Sequence, residues 1–296
     1  MKNKLDQVYY HFMLLPGMIL LFIFSIVPMF GIIMAFQNFI PAKKIWGSPF
    51  VGLDNFKLMF TFPDVRTVFF NTIYIACFKI ILGLLVPILF ALLLNEVRVS
   101  WFKRMVQTIA YLPNFLSWVI LAVMFSNLFS FNGIFNRIVT FFGHEPILFL
   151  ASNTWFRPIL VATDVWKGFG YGAIIYLAAI TNIDLNLYEA ADIDGATRFQ
   201  KVLYVTLPGI KATVVLMATL ALGNVLNAGF EQIFTMYSAV VYQTSDIIDT
   251  YVYRMGLVKL QFSFGTAVGL LKSVVSFILI VLSYKLADRF AGYRIF

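Results

Sequence analysis

Six apolar segments, each long enough to cross a bilayer as a helix, constrain this sequence more than any other feature. They run approximately from Met13 to Phe36, Val68 to Leu94, Val106 to Phe129, Pro158 to Ile180, Val214 to Tyr237 and Thr266 to Leu286. A hydrocarbon layer of about 30 Å needs roughly 20 residues in helix, and unsatisfied backbone amides there cost several kcal/mol each, which favours helix over irregular chain. The pattern predicts an all-α membrane protein of about six transmembrane helices. An even count puts both ends on one side.

Composition leads to the same class. Hydrophobic residues make up 61% of the chain and charged residues 12%, about half the charged share of a soluble domain. One core cannot hide 33 phenylalanines without leaving large apolar patches, so lipid must cover the remainder. The net charge of +8 is dispersed among hydrophobic runs, which suits anionic lipid head groups and not nucleic acid. The single cysteine, Cys77, leaves no partner for an intrachain disulfide or a thiol-ligated metal, and its apolar surroundings predict a packing role. The first residues carry lysines like a signal peptide, but the apolar run that follows exceeds an h-region of about 7 to 15 residues and no small-residue cleavage site stands out. A retained first helix is expected.

Between the first two segments, Pro41, Gly47, Pro49, Gly52 and Pro63 punctuate a loop in which DNFKLMF predicts a short interfacial helix. Phe131 to Asn153 forms another amphipathic stretch after the third. No internal repeat or long linker divides the chain, so one membrane domain spanning 1–296 is expected, with its core over about 68–288 and the first helix and an external loop over 1–67.

No G-x-x-x-x-G-K-[ST] phosphate loop is present. Gly168, Gly170 and Gly172 lie within an apolar helix, where close packing against a neighbour is their expected role. His11 and His144 have no ligand-spaced partners, and no nucleophile elbow or paired carboxylates stand out. Neither catalysis nor metal binding is expected.

The most polar loop runs from Thr181 to Pro208. A short helix is predicted from near Asn186, with acidic residues in its early turns suiting the macrodipole, and a break at or near Gly195. Ala190, Ala191 and Ala196 are small enough for another protein surface to approach. A second helical stretch is predicted over 197–205, ended by Leu207, Pro208 and Gly209.

Glu189, Ala190, Ala191, three residues, Gly195, nine residues, then Val205, Thr206, Leu207 and Pro208 resemble the Glu-Ala-Ala loop of binding-protein-dependent ABC importer permeases. Val205 stands where that family usually has isoleucine, a conservative departure. The stretches VGLDNF, LLNEVRVSWFKRMVQTIAYLPNFLSW and LNAGFEQIF extend the resemblance over nearly the whole chain, towards sugar permeases of the maltose and multiple-sugar type and most closely the LplB-type oligosaccharide or polysaccharide-fragment permeases. The resemblance implies a cytoplasmic coupling helix between helices 4 and 5, with Glu189, Ala190, Ala191, Asp192, Asp194, Gly195 and Ala196 docking on an ATPase. It also implies a prokaryotic cytoplasmic membrane, both termini inside, a second homologous permease, two ABC ATPase subunits holding ATP and Mg, and an extracytoplasmic solute-binding protein that delivers a carbohydrate.

Buried charge and a polar stripe complete the pattern. Lys79, Asp164, Lys167, Glu231 and Lys272 lie in or near the apolar segments, where ionisable groups face a partner or a wet cavity. Asp164 and Lys167 at i, i+3 spacing are expected to pair. Asn224, Asn227 and Glu231 would share one helix face, with Gln232 beside them and Phe230 offering an aromatic face to a sugar. The alternative for this stripe is contact with the second permease. Alternatives for the whole chain are an ion-gradient-driven transporter or channel, active without any ATPase, and a non-transporting scaffold indifferent to loss of the stripe.

Overall fold

The computed structural model describes residues 4–291, with side chains over 9–285. The chain ends on which the expected cytoplasmic placement of the termini rests, including Lys2 and Arg294, lie outside the described residues. Among the described residues the regular elements are helical, with one isolated antiparallel bridge between Gln37 and Phe50. The helices that organise the chain are α1 (Lys4–Leu21), α2 (Asp54–Thr61), α3 (Pro63–Asn95), α4 (Ser100–Tyr111), α5 (Trp118–Leu128), α6 (Ile134–Phe141), α7 (Phe156–Thr181) and α8 (Leu185–Ile193). They are followed by α9 (Arg198–Gly209), α10 (Lys211–Gly223), α11 (Phe230–Met236) and α12 (Phe262–Ala291).

Three stretches are long and apolar enough to cross a membrane unaided: Tyr9–Phe36, Pro63–Asn95 and Phe262–Lys285. Three helix pairs qualify when each is joined across its bend: Ser100–Phe115 with Trp118–Leu128 at 105°, Phe156–Thr181 with Leu185–Ile193 at 70°, and Arg198–Gly209 with Lys211–Gly223 at 59°. The expected count of six is reached when each bent pair is one span.

Two of the expected spans are not continuous. In the third, Pro113 lacks an amide proton and sits in a 3-10 turn over Leu112–Phe115, after which Ser117 restarts helix by capping Ile120. In the fifth, α10 ends at Gly223, and residues 224–229 run outside helix before Gly229, at φ +94°, introduces α11. Only glycine holds that backbone conformation without strain.

Contacts group the chain into two compact units, Met1–Val65 with Tyr251–Ser273, and Arg66–Thr250 with Val274–Phe296. In the first, α1 continues through a π turn at Phe22–Ile26 and a 3-10 stretch to Phe36, around the amide that Pro28 cannot supply. The loop after it is folded: the Asn55 side chain donates to the carbonyls of Ala35 and Gln37, each at 2.9 Å, and Phe39 N–H donates to Ser263 Oγ at 2.8 Å. The short helix expected over DNFKLMF is α2, which buries Met59 and exposes Phe60.

The second unit is built around α7. A Cβ on Gly170 would fall 2.1 Å from the Ala110 carbonyl oxygen, so the backbones of α4 and α7 touch there. At Gly172 the neighbour is Pro87 of α3, at 3.3 Å from such a Cβ. Gly168 faces open space instead, against the packing role expected of it. Ile75, Leu121, Phe156, Leu160 and Ile233 close the core.

Candidate functional site

Two regions of the second unit hold polar groups singled out in the sequence. The first is the loop around α8. Asp184 caps α8 by accepting from Asn186 N–H at 3.0 Å, so the acid that meets the positive helix end precedes the helix, and its first turn holds none. At the other end Gly195, at φ +73°, takes the left-handed position. Its N–H reaches Asp192 O at 3.1 Å and Ala196 N–H reaches Ala191 O at 2.9 Å, a Schellman closure. Thr197 and Gln200 then form a reciprocal capping box that starts α9 at once. Helix continues through a π turn to Gly209, past the end expected before Leu207.

Cross-links stiffen this helix-turn-helix. Lys201 Nζ lies 2.7 Å from Asp192 Oδ1, an exposed pair that contributes at most about 1 kcal/mol. Tyr188 OH bonds the buried Thr206 hydroxyl at 2.9 Å. The predicted residues Glu189, Ala190, Asp192, Asp194 and Gly195 are exposed here, with Ala191 and Ala196 half-buried. Apolar side chains stand out beside them: Leu185 is 73% exposed, Phe199 75% and Ile193 87%.

The second region is a cavity of about 420 Å³ bordered by Lys79 and Gly83 of α3, Asp164 of α7, Met217 of α10, and Asn224 and Asn227 beyond it. Lys79 donates to Asp164 Oδ1 at 3.2 Å, to the Ala228 carbonyl at 2.8 Å and to Gln232 Oε1. Three donors thus meet three acceptors. Gln232, fully buried, passes the network on by donating to Leu160 O at 2.7 Å and Thr163 Oγ1 at 2.8 Å.

This geometry corrects two expectations. Asp164 pairs with Lys79 across helices and not with Lys167, whose ammonium donates to Asn114 O at 2.8 Å and lies over Trp118. Nor do Asn224, Asn227 and Glu231 form one helical stripe, because α10 stops before Asn224 and its break separates them. Asn224 and Asn227 line the cavity, Gln232 fixes Lys79 beneath it, and Phe230 and Glu231 are not among its lining residues. The Asn-Ala-Gly run ahead of α11 is the turn signal that marks this break in the sequence.

Known proteins share both sequence and fold. Residues 83–292 match the family described as binding-protein-dependent transport system inner membrane component. The polygalacturonan/rhamnogalacturonan transport system permease protein YteP of Bacillus subtilis (strain 168) is 43% identical, over 97% of this chain and 89% of its own length. Protein LplB of the same organism is 40% identical over 95% of this chain and 88% of its own. A crystal structure of a bacterial ABC transporter involved in the import of the acidic polysaccharide alginate matches with a TM-score of 0.89 at 36% identity, covering 97% of both chains. A second crystal structure, of bacterial alginate ABC transporter in complex with alginate pentasaccharide-bound periplasmic protein, matches with a TM-score of 0.88, covering 97% of this chain and 96% of that one. On this sequence match and this fold, the chain belongs to the binding-protein-dependent transport system inner membrane components, the permeases of ABC importers.

Proposed function

We propose that this chain, working as one transmembrane domain, is one of two permease subunits of an importer that moves an oligosaccharide across the cytoplasmic membrane by alternating access. The polysaccharide cargoes of its relatives support a saccharide here. In this assembly a binding protein delivers the sugar outside, and two ATPase subunits beneath hold the ATP and Mg. The observation that carries the coupling role is α8, capped at both ends and cross-linked to α9, with Leu185, Ile193 and Phe199 turned out. Such a clip resists deformation more than an uncapped loop, so a push on α8 is passed to α9.

Docking α8 on an ATPase puts it in the cytoplasm, with both termini on the same side as in the sequence-based count. The Glu189 to Ala196 segment receives the closure of the ATPase pair, and α7 and α9 carry it to the cavity bordered by Lys79, Asp164, Asn224 and Asn227. Sugar hydroxyls suit the two amides, whose carbonyl and NH₂ groups both accept and donate.

The experiment is charge reversal at Glu189 together with Gly195→Leu in the reconstituted complex. ATP-driven uptake and ATPase co-purification should both be lost. If both persist, α8 does not couple.

A further inference from the structure

At the ends of α3 and α7 remote from α8 lies a second cavity, of about 520 Å³, bordered by Arg66, Thr67, Phe70, Arg157, Gln243 and Thr244. The 26 residues of α7 separate it from α8, about 39 Å at roughly 1.5 Å per residue. Arg157 is held in place: its Nε donates to Thr244 O at 2.8 Å, and one terminal nitrogen donates to Asn71 Oδ1. Asn71 is itself fully buried, its amide donating to Gln243 O and Asp246 O at 3.2 and 3.1 Å. The guanidinium lies 4.9 Å from the Tyr74 ring centre and 5.8 Å from that of Phe70. Among the described residues neither Arg157 nor Arg66 has a carboxylate within ion-pair distance, and the remaining N–H donors of Arg157 have no acceptor. Both arginines stand in the first turns of their helices, where the positive helix ends add to their charge and Asp64, in the first turn of α3, offsets part of it.

We propose that this cavity is the vestibule for an anionic saccharide and reads a sugar carboxylate. The carboxylate takes the free side of the Arg157 fork with Arg66 as second charge, hydroxyls meet Thr67, Gln243 and Thr244, and Phe70 faces the apolar side of a ring. A planar fork already aligned by two bonds loses little freedom on binding a second planar group. Asp164 lies seven residues further along α7, about 10.5 Å on at roughly 1.5 Å per residue. An oligosaccharide can therefore reach from this cavity towards the one at Lys79. The assignment rests on the importer reading and names the chemical class of its cargo.

The test compares ATP-driven uptake of trigalacturonate and of its fully methyl-esterified form by the intact complex in phosphatidylcholine vesicles. Wild type should import the acid in preference. Arg66→Gln, at an exposed side chain, should lower the acid-to-ester uptake ratio about tenfold, and Arg157→Lys, which keeps the charge and loses the fork, several-fold. Equal losses for both sugars, or an unchanged ratio, overturn the carboxylate role. Uptake of both sugars that rises equally with added phosphatidylglycerol in wild type but not in Arg66→Gln assigns the cavity to a lipid head group and also overturns it. Uptake of neutral arabinotriose with rejection of both galacturonates overturns the anionic class and leaves the importer reading standing. Absence of ATP-driven uptake of all three sugars overturns the anionic class, and the importer reading falls only if ATPase co-purification is absent too.

Discussion

The ammonium nitrogen of Lys79 stands 2.9 Å from the position that a Cβ on Gly229 would occupy. The glycine is required twice there, by this approach and by its φ of +94°. Gly229→Ala should therefore push Lys79 off the Ala228 carbonyl and strain the break before α11. A loss of about 1–3 kcal/mol is expected, read as a lower melting temperature in detergent, with a roughly tenfold drop in uptake.

Lys79→Met should leave Asp164 facing the cavity without its cation. The Lys79 side chain is 9% exposed and that of Asp164 36%, so the cost is smaller than for a fully buried pair, about 2 kcal/mol. Adding Asp164→Asn should recover more than half of it. Thermal unfolding of the two single variants and the double variant gives the coupling energy, and strictly additive losses would rule the pair out as a unit.

Gly170 and Gly168 are two residues apart on α7 and should behave oppositely. At Gly170 a Cβ meets the Ala110 carbonyl, a backbone atom, so even Gly170→Ala should abolish monodisperse protein. Nothing lies within 4 Å of a Cβ at Gly168, and Gly168→Ala should be neutral or stabilising by up to about 1 kcal/mol. Size-exclusion profiles of the two variants decide the point.

Asn224→Ala and Asn227→Ala remove cavity-lining amides. Each should raise the half-saturating sugar concentration roughly three- to tenfold, one neutral hydrogen bond being worth about 1 kcal/mol. Glu231→Gln, outside the lining, should stay within twofold. A larger effect at Glu231 than at the two asparagines would move the sugar path.

Tyr188→Phe deletes the bond to Thr206 that ties α8 to α9. Stability should fall by about 1 kcal/mol. In the proposed lever, more ATP should be hydrolysed per sugar imported, measured by running uptake and phosphate release on the same vesicles.

Much of this architecture was legible because hydropathy and turn chemistry are local. The six apolar segments, the short helix over DNFKLMF and the stop at Gly195 each depend on residues within a few positions of one another. The break at Pro113 was equally local, yet the apolar run across it masked the signal. The Lys79 to Asp164 pair was not legible, since 85 residues separate its members and periodicity along α7 offered the nearer Lys167 instead. The Arg66 and Arg157 cavity joins the first turns of two helices in the same non-local way, and each arginine alone resembles an ordinary interfacial anchor.

The wide spacing of Lys79 and Asp164 also bears on how the chain enters the membrane during synthesis. At about 5–20 residues per second, Asp164 emerges roughly 4 to 17 s after Lys79. During that interval α3 must be accepted by the bilayer with a bare ammonium, at a cost of about 2.5–3.5 kcal/mol that its many Leu, Ile and Phe residues offset. The later helix α7, which carries Arg157, Asp164 and Lys167, is the less apolar of the two. Because Lys79 precedes it in the chain, α7 reaches the bilayer after its counter-charge, which is the order in which α3 can receive it.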